Sequence, residues 1–373
     1  MRLSVEFSRR LWFAIISPCP AMKIALTYNL KKKDHTKPPD YFSEYDSEQT
    51  IEAIAGALRS RGHSVEPVDV SSPDIFSFFR RSRFDMVFNI AEGISGKFRE
   101  AEIPAMLEYL HIPYTGSGVL SLALSLNKSL TKKILQAEGI PTPRFQLFTR
   151  GNETLDASLR FPLIVKPNLE GSAKGISASS VVAGEDDLYR KVGQIRQAYR
   201  QDALVEEFIE GLELTVGILE QSETTVLPVL EIDFSSCAAS GEYFYSWRMK
   251  EYQGNAALGL VPAFHCPARL PGEVASRVKE TALRTHRALG CYDISRTDIR
   301  LSRDNVPYVL EINPLPGLDP AESNFTIMTH AAGMQYDDLI EAIVVSASKR
   351  RRGYGIIEHD TAGNDCSPVT PAA

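Results

Sequence analysis

The segment TDIRLSRDNVPYVLEIN, residues 297–313, limits the fold of this chain more than any other. Two alternating runs flank Asp304-Asn305, a pair of turn formers, and read as a β-hairpin closed by a two-residue loop. That loop sets Asp298 opposite Glu311 and Arg296 opposite Asn313. Side chains alternate along a strand, so these four share one face while Ile299, Leu301, Leu310 and Ile312 share the other. The apolar face requires a core behind the hairpin. The polar face admits two readings: paired groups facing water, or a hard-oxygen site of two carboxylates and an amide oxygen, as Mg2+ takes. Asp directly opposite Glu is repulsive, which favours a bound cation. VLEIN then stops at a Pro-Leu-Pro-Gly turn that starts right beside this face.

Upstream, strands alternate with helices. KIALTY (23–28) is a short apolar run. SEQTIEAIAGALRSRGH has Ser47 as N-cap, apolar residues at helical spacing (Ile51, Ile54, Ala55, Leu58) and Gly62 as stop. VEPVDV and FDMVFNI read as strands, IPAMLEYL as a helix, and IPYTGSG as a strand entering a turn. The alternation predicts a doubly wound parallel sheet over 22–125. NKSLTKKILQAEG (127–139) is a helix. FPLIVKP, ISASSVV, ALVEEFI, LTVGIL and VLPVLEIDF read as strands of α+β units, divided as 126–205 and 206–348. GEVASRVKETALRTHRALG and YDDLIEAIVVSA are later helices. Residues 1–21 read as an extension outside the fold, and 349–373 as a disordered tail.

The chain has 373 residues, so two or three domains are expected. Its net charge of −6 disfavours a general nucleic-acid binder. Five cysteines lie scattered without a C-x-x-C pair, which suits a reducing compartment, so the cytoplasm is expected. No stretch approaches the ~20 apolar residues of a membrane span. The apolar core of LWFAII, after Arg9-Arg10, is shorter than the ~7–15 residues of a signal peptide.

Two further segments bear on phosphate and base. FPLIVKPNLEGSAKG puts Lys166 at a strand end, before a Gly-flanked loop holding Ser172. A lysine and the N–H groups of such a loop can hold phosphate oxygens, although short Gly loops also occur as simple turns. A Walker A loop is absent, and no G-x-G-x-x-G follows the first strand. LVEEFIEGLELTV sets Glu206, Glu207 and Glu213 around Phe208-Ile209. This reads either as a hinge for adenine and ribose or as an exposed strand edge.

Four ordered segments together resemble the D-alanine–D-alanine ligase branch of the ATP-grasp carboxylate–amine ligases. They are IPYTGSGVLSLALSLNKSLTKKILQAEGIPTP, IVKPNLEGSAKG, VEEFIEGLELTVGIL, and SRTDIR followed by VLEINPLPGL. The resemblance runs from about Met22 to Ala347. It implies an α/β ATP-grasp fold: an N-terminal parallel-sheet domain and two α+β subdomains that clamp ATP between antiparallel sheets. It further implies that Lys128 and Lys166 contact ATP phosphates and that Ser172 lies in the loop closing over them. Glu206, Glu207, Phe208 and Ile209 would line the adenine pocket, with Glu213 on ribose. Asp298, Glu311 and Asn313 would hold two Mg2+ ions, or Mn2+. Arg296 and the Gly317 amide would stabilise an oxyanion, and Lys250 would serve from the substrate lid. Small-molecule carboxylate and amine substrates are expected, with no nucleic-acid or membrane partner. Members often dimerise, so a homodimer is an expected assembly.

The sequence departs from that family on the substrate side. The G-G-x-S-x-E-R-E-V-S stretch, whose Glu grips the first substrate's ammonium, is replaced by TYNLKKKDHTKPPDYFSEYDSEQ. The H-G-x-x-G-E-D-G loop becomes AEGISGKFREAE, where Glu92, Arg99 and Glu100 are candidates for an amino acid's ammonium and carboxylate. The lid's Lys-Tyr pair becomes Lys250-Glu251, and S-H-S becomes PAES around Glu322 and Ser323. The reading is an ATP-dependent ligase that forms an amide or peptide bond through an acyl phosphate, on substrates other than D-alanine. D-alanine–D-alanine ligase itself and a catalytically silent ATP-binding regulator are the alternatives.

Overall fold

The computed structural model describes residues 19–221 and 223–353, the last three by backbone alone. Residues 1–18 of the expected extension and 354–373 of the expected tail lie outside the described residues.

The first unit contains β1 (Lys23–Tyr28), α1 (Glu48–Ser60), β2 (Ser64–Asp69), α2 (Ile75–Arg81), β3 (Met86–Asn89) and α3 (Glu102–Tyr109). Its sheet has the order β2-β1-β3, all parallel. A parallel sheet is covered on both faces, which is why β1 is a continuous apolar run. Ser47 caps α1 by accepting from the Thr50 N–H at 3.1 Å, and the helix buries Ile51, Ile54, Ala55 and Leu58. IPYTGSG forms only a single bridge, Val87 to Tyr114.

Helices α4 (Val119–Leu126) and α5 (Lys128–Ala137) lead to β4 (Phe145–Phe148), β5 (Leu163–Pro167), β6 (Val181–Val182), α6 (Glu185–Tyr199) and β7 (Ala203–Glu207). The four strands form an antiparallel sheet, β4-β7-β5-β6, over which α6 packs Leu188, Val192 and Ile195. The strand expected at ISASSVV shrinks to two residues. The Ser180 hydroxyl accepts from the Ser177 N–H at 3.0 Å, so serine bonding replaces the ladder and folds the preceding residues into a turn.

The last unit begins with β8 (Gly211–Glu220), β9 (Thr224–Val226), β10 (Leu230–Asp233), α7 (Trp247–Glu251), β11 (Ala263–His265) and α8 (Gly272–Ala288). It ends with β12 (Ile294–Ser302), β13 (Pro307–Asn313), α9 (Asn324–Ala331) and α10 (Tyr336–Gly353). Its sheet runs β11-β10-β8-β12-β13, with β9 on β8. VLPVLEIDF is two strands rather than one, broken around Pro228, which has no N–H to donate. Helix α10 enters the segment expected to be tail, and Arg350 pairs with Asp293 at 2.6 Å. At the other end the Cys19 N–H donates to Glu341 at 3.2 Å. One core unites Ile24, Ile54 and Phe88 with Leu219, Phe325 and Ile340, so the parallel sheet is seated on the last unit. Among the described residues no helix is long and apolar enough to cross a membrane.

The hairpin corrects one detail and keeps the outcome. Its loop has three residues, 303–305, closed by a bond from Ser302 N to Val306 O, with Asn305 left-handed at φ 59°. That turn is the common three-residue alternative. It places Leu301 opposite Pro307, one step from the expected register, and a bulge between Asp298 and Ile299 then restores Asp298–Glu311 and Arg296–Asn313. The extra residue is Leu310. It turns into the cavity, while Val309 joins Ile299, Leu301 and Ile312 in the core. Bulges re-aim side chains in this way.

Candidate active site

The two antiparallel sheets and the C-terminal edge of the parallel sheet enclose a cavity of about 500 Å3. Arg296, Asp298, Glu311 and Asn313 line one wall of it together. The Arg296 guanidinium grips Asp298 with two bonds of 2.9 and 2.8 Å. Thr215 donates to Asp298 at 2.7 Å and Asn313 Nδ2 donates at 3.1 Å. Lys128, at the start of α5, lies 2.8 Å from Glu311 Oε2. Burial pushes the Glu311 carboxyl up, but Lys128 and Lys166 hold it down at about 2. The set is all oxygen, without thiol or imidazole, and so fits a hard divalent cation. Among the described residues no three His, Cys, Asp or Glu converge on a metal-sized point, so such an ion would rest on two carboxylates, an amide and further oxygens from substrate.

Lys166 leaves β5 into the same cavity and donates to Glu206 Oε1. The other oxygen of Glu206 is 2.8 Å from Lys132. Lys132 is fully buried and also donates to Thr142 at 2.9 Å. Burial lowers its ammonium to about 8, against the pull of Glu206. Beyond Glu206 the wall turns apolar with Ile164, Phe208, Ile209, Ile232, Phe244 and Leu310, a slot suited to a flat ring. Glu207 borders it and accepts from the Arg160 N–H at 3.0 Å. Glu213 meets Arg300 at 3.0 Å. Its carboxyl is raised, first by burial, with Arg300 opposing.

The Gly-flanked loop closes the cavity. Ser172 and Ala173 are left-handed, at φ 50° and 55°, and the Ser172 hydroxyl accepts from Lys250 at 2.9 Å. Burial, then Arg296, lowers the Lys250 ammonium. A Cβ on Gly171 would stand 2.7 Å from Glu44 Oε1, which accepts the Gly171 N–H at the same distance. A side chain there would push the Glu44 carboxylate away from the Gly171 N–H. Ser43 accepts from the Trp247 indole at 2.8 Å, and Glu251 pairs with Lys31 at 3.1 Å. The lysine-rich segment after β1 is thus docked on both the loop and α7. Gly317 lines the cavity at the turn after β13.

Glu92 and Glu100 face this cavity, but Arg99 does not share it. Its guanidinium donates to Glu44 at 2.6 Å and to the Leu169 carbonyl at 2.9 Å, beside a second, more open hollow. Sequence reasoning missed Lys132, Arg300 and Glu44. Lys132 follows Lys128 by one helical turn, and Arg300 continues the alternation 296, 298, 300, so both carried a signal. Glu44 carried none.

Two antiparallel sheets facing across a lysine-lined cavity, with a parallel-sheet unit closing one end, define the ATP-grasp class. Residues 134–345, more than half of the chain, match the family described as D-ala D-ala ligase C-terminus. The chain is 37% identical to a D-alanine–D-alanine ligase of Desulforudis audaxviator, over 80% of this chain and 92% of that one. It is 38% identical to an uncharacterized protein of Sinorhizobium fredii, over 73% and 77%. The crystal structure of a Bacillus anthracis D-alanine–D-alanine ligase complexed with ATP superposes with a TM-score of 0.70 at 25% identity, covering 90% of this chain and all of that one. A D-Ala:D-Ser ligase from Enterococcus faecalis shares the fold, with a TM-score of 0.67 at 22% identity. The chain belongs to the D-alanine–D-alanine ligase family.

Proposed function

We propose that this protein is an ATP-dependent, ADP-forming carboxylate–amine ligase acting on an amino acid or small peptide other than a D-alanine pair. The observation that carries the reading is the convergence of Lys128, Lys166, Arg296, Asp298 and Glu311 on one cavity. In the reaction a substrate carboxylate oxygen attacks the γ-phosphorus of ATP and the bond to ADP breaks, giving an acyl phosphate. The amine nitrogen then attacks the acyl carbon. Phosphate leaves with its electron pair, the nitrogen loses a proton, and the amide remains.

The chain's contribution is positioning and charge. Lys128 and Lys166 hold the phosphates, and Ser172 and Lys250 close the loop over them. Glu206, Glu207, Phe208 and Ile209 seat the base, and Glu213 the ribose. Asp298, Glu311 and Asn313 would hold Mg2+, which offsets charge on the transferred group. Arg296 and the Gly317 amide stabilise the oxyanion, where one lost donor costs ~10²–10³ in rate. Glu92 and Glu100 face the substrate end of the cavity. Arg99 braces Glu44 against the phosphate loop and replaces the expected substrate contact with a positioning one. The reaction is placed in the cytoplasm, with small molecules as substrates.

The second reading, D-alanine–D-alanine ligase itself, is favoured by the names of relatives such as that of D. audaxviator. The changed substrate-side residues favour the first, among them Glu251 paired with Lys31 where the family's lid has tyrosine. ADP release screened over pairs of amino acids, dipeptides and small acids, with mass spectrometry of products, tests both. D-alanine-dependent phosphate release supports the second reading. ATP binding with no ADP from any pair contradicts both.

A further inference from the structure

Resting on that ligase reading, we propose that Arg300 is a positioning residue that sets which nucleotide sugar the cavity accepts: it orients Glu213 to receive the ribose hydroxyls, so that a ribonucleotide is preferred over a deoxyribonucleotide. Arg300 and Glu213 stand directly opposite each other on β12 and β8, neighbouring strands inside the last unit's sheet, and both line the cavity. Arg300 is 5% exposed. Its Nη1 donates to Glu213 Oε2 at 3.0 Å, and its Nε donates to the Ile209 carbonyl at 3.1 Å. Its Cζ lies 5.2 Å from the centre of the Phe208 ring, which in turn meets the rings of Tyr243 and Phe244. One buried cation thus holds a ring, a backbone carbonyl and a carboxylate around the slot proposed for base and sugar.

This geometry leaves one oxygen over. Glu213 Oε2 takes both Arg300 and the Tyr245 N–H, the latter at 3.3 Å. Glu213 Oε1 accepts no hydrogen bond among the described residues and is not sealed from the cavity. A carboxylate only accepts, and a sugar hydroxyl can donate, so Oε1 fits a hydroxyl of the ribose. Arg300 does not serve as a phosphate ligand in this arrangement, because its charge is matched by Glu213, while Lys128 and Lys166 stand at the phosphate end. It acts on the nucleotide through Glu213. Without it, Glu213 keeps only the Tyr245 N–H and sits in the wall without a counter-charge, which frees it to turn away. A site built to hydrogen-bond a hydroxyl rejects the analogue that lacks it, because the acceptor is then left unpaired.

The test uses the full chain with ATP, 2′-deoxyATP, 3′-deoxyATP and 2′,3′-dideoxyATP as probes, each with Mg2+, and reads binding by calorimetry. Wild type is expected to bind ATP about tenfold or more tightly than dideoxyATP, with the two monodeoxy probes between them. Arg300→Met loses most of that ratio while its affinity for dideoxyATP stays near that of wild type, which also shows that the variant folds. Arg300→Lys, which keeps the charge and loses the fork, retains part of the ratio. A purely structural role would weaken all four nucleotides together and leave the ratio as it was. That outcome in both variants overturns the proposal, as does a wild-type ratio near one. ATP binding and ADP release without a sugar preference leave the ligase reading standing and this inference fallen. A sugar preference that vanishes in Arg300→Met, without ADP from any substrate pair, does the reverse.

Discussion

The Lys128 ammonium lies 2.8 Å from Glu311 Oε2, and this pair ties the first turn of α5 to β13 across the mouth of the cavity. Lys128 also donates to the Glu170 carbonyl at 2.6 Å, at the root of the Gly-flanked loop. One side chain therefore links the proposed metal wall to the proposed phosphate lid. Replacing Lys128 by methionine removes a charge-assisted contact worth about 1.5–3 kcal/mol. ATP affinity measured by calorimetry is expected to fall at least tenfold, with the helical signal in circular dichroism unchanged. An unaltered affinity would place the phosphates elsewhere.

Lys132 lies behind Glu206, fully buried. Its role in this account is to hold the Glu206 carboxylate from one side while Lys166 holds the other. Lys132→Met leaves Glu206 with one cation and Thr142 without its donor. Breaking a buried pair costs about 3 kcal/mol or more, so the denaturant midpoint is expected to drop. Stability equal to wild type would show that Lys166 alone suffices.

Gly317 is close to Ser323. A Cβ there would stand 2.9 Å from the Ser323 hydroxyl, which accepts the Asp319 N–H at 2.9 Å. Gly317→Ala displaces that turn and the amide it carries. Turnover is expected to fall by about 10–10²-fold while ATP affinity holds, the pattern of a donor used only in the transition state. A loss of ATP affinity with unchanged turnover would reverse the assignment.

Asp46 lines the cavity, and its carboxyl is raised to about 7, first by burial and then by Asp319. A folded-state value above the unfolded one means that the native protein binds the proton more tightly. The stability this provides is complete below about pH 4 and is lost as pH rises through 7. The full effect is on the order of 4 kcal/mol. Asp46→Asn is expected to flatten the fall in melting temperature between those limits. An identical pH slope in the variant would remove Asp46 from the account.

Much of this site can be read from the sequence because strand alternation is insensitive to small errors near a turn. The hairpin's loop is one residue longer than expected, yet the Leu310 bulge restores the register at Asp298–Glu311. Side-chain and backbone competition was less legible. Ser177 and Ser180 bond to each other's neighbourhood and dissolve an apparent strand. Contacts between distant segments left no periodic trace, so Glu44 on Gly171 and Arg99 on Glu44 emerge only once the lysine-rich segment is docked. Arg99 also shows why adjacency misleads. It neighbours Glu100 in the chain, but it leaves the helical turn in a different direction.

The central claim is that the Asp298–Glu311 wall holds a divalent cation beside ATP. Titrating ATP into wild type, Asp298→Asn and Glu311→Gln, each with and without Mg2+, tests it most directly. The account predicts that Mg2+ tightens ATP binding to wild type at least tenfold and that both variants lose most of this gain while staying folded. The same Mg2+-dependent gain in all three proteins would contradict it.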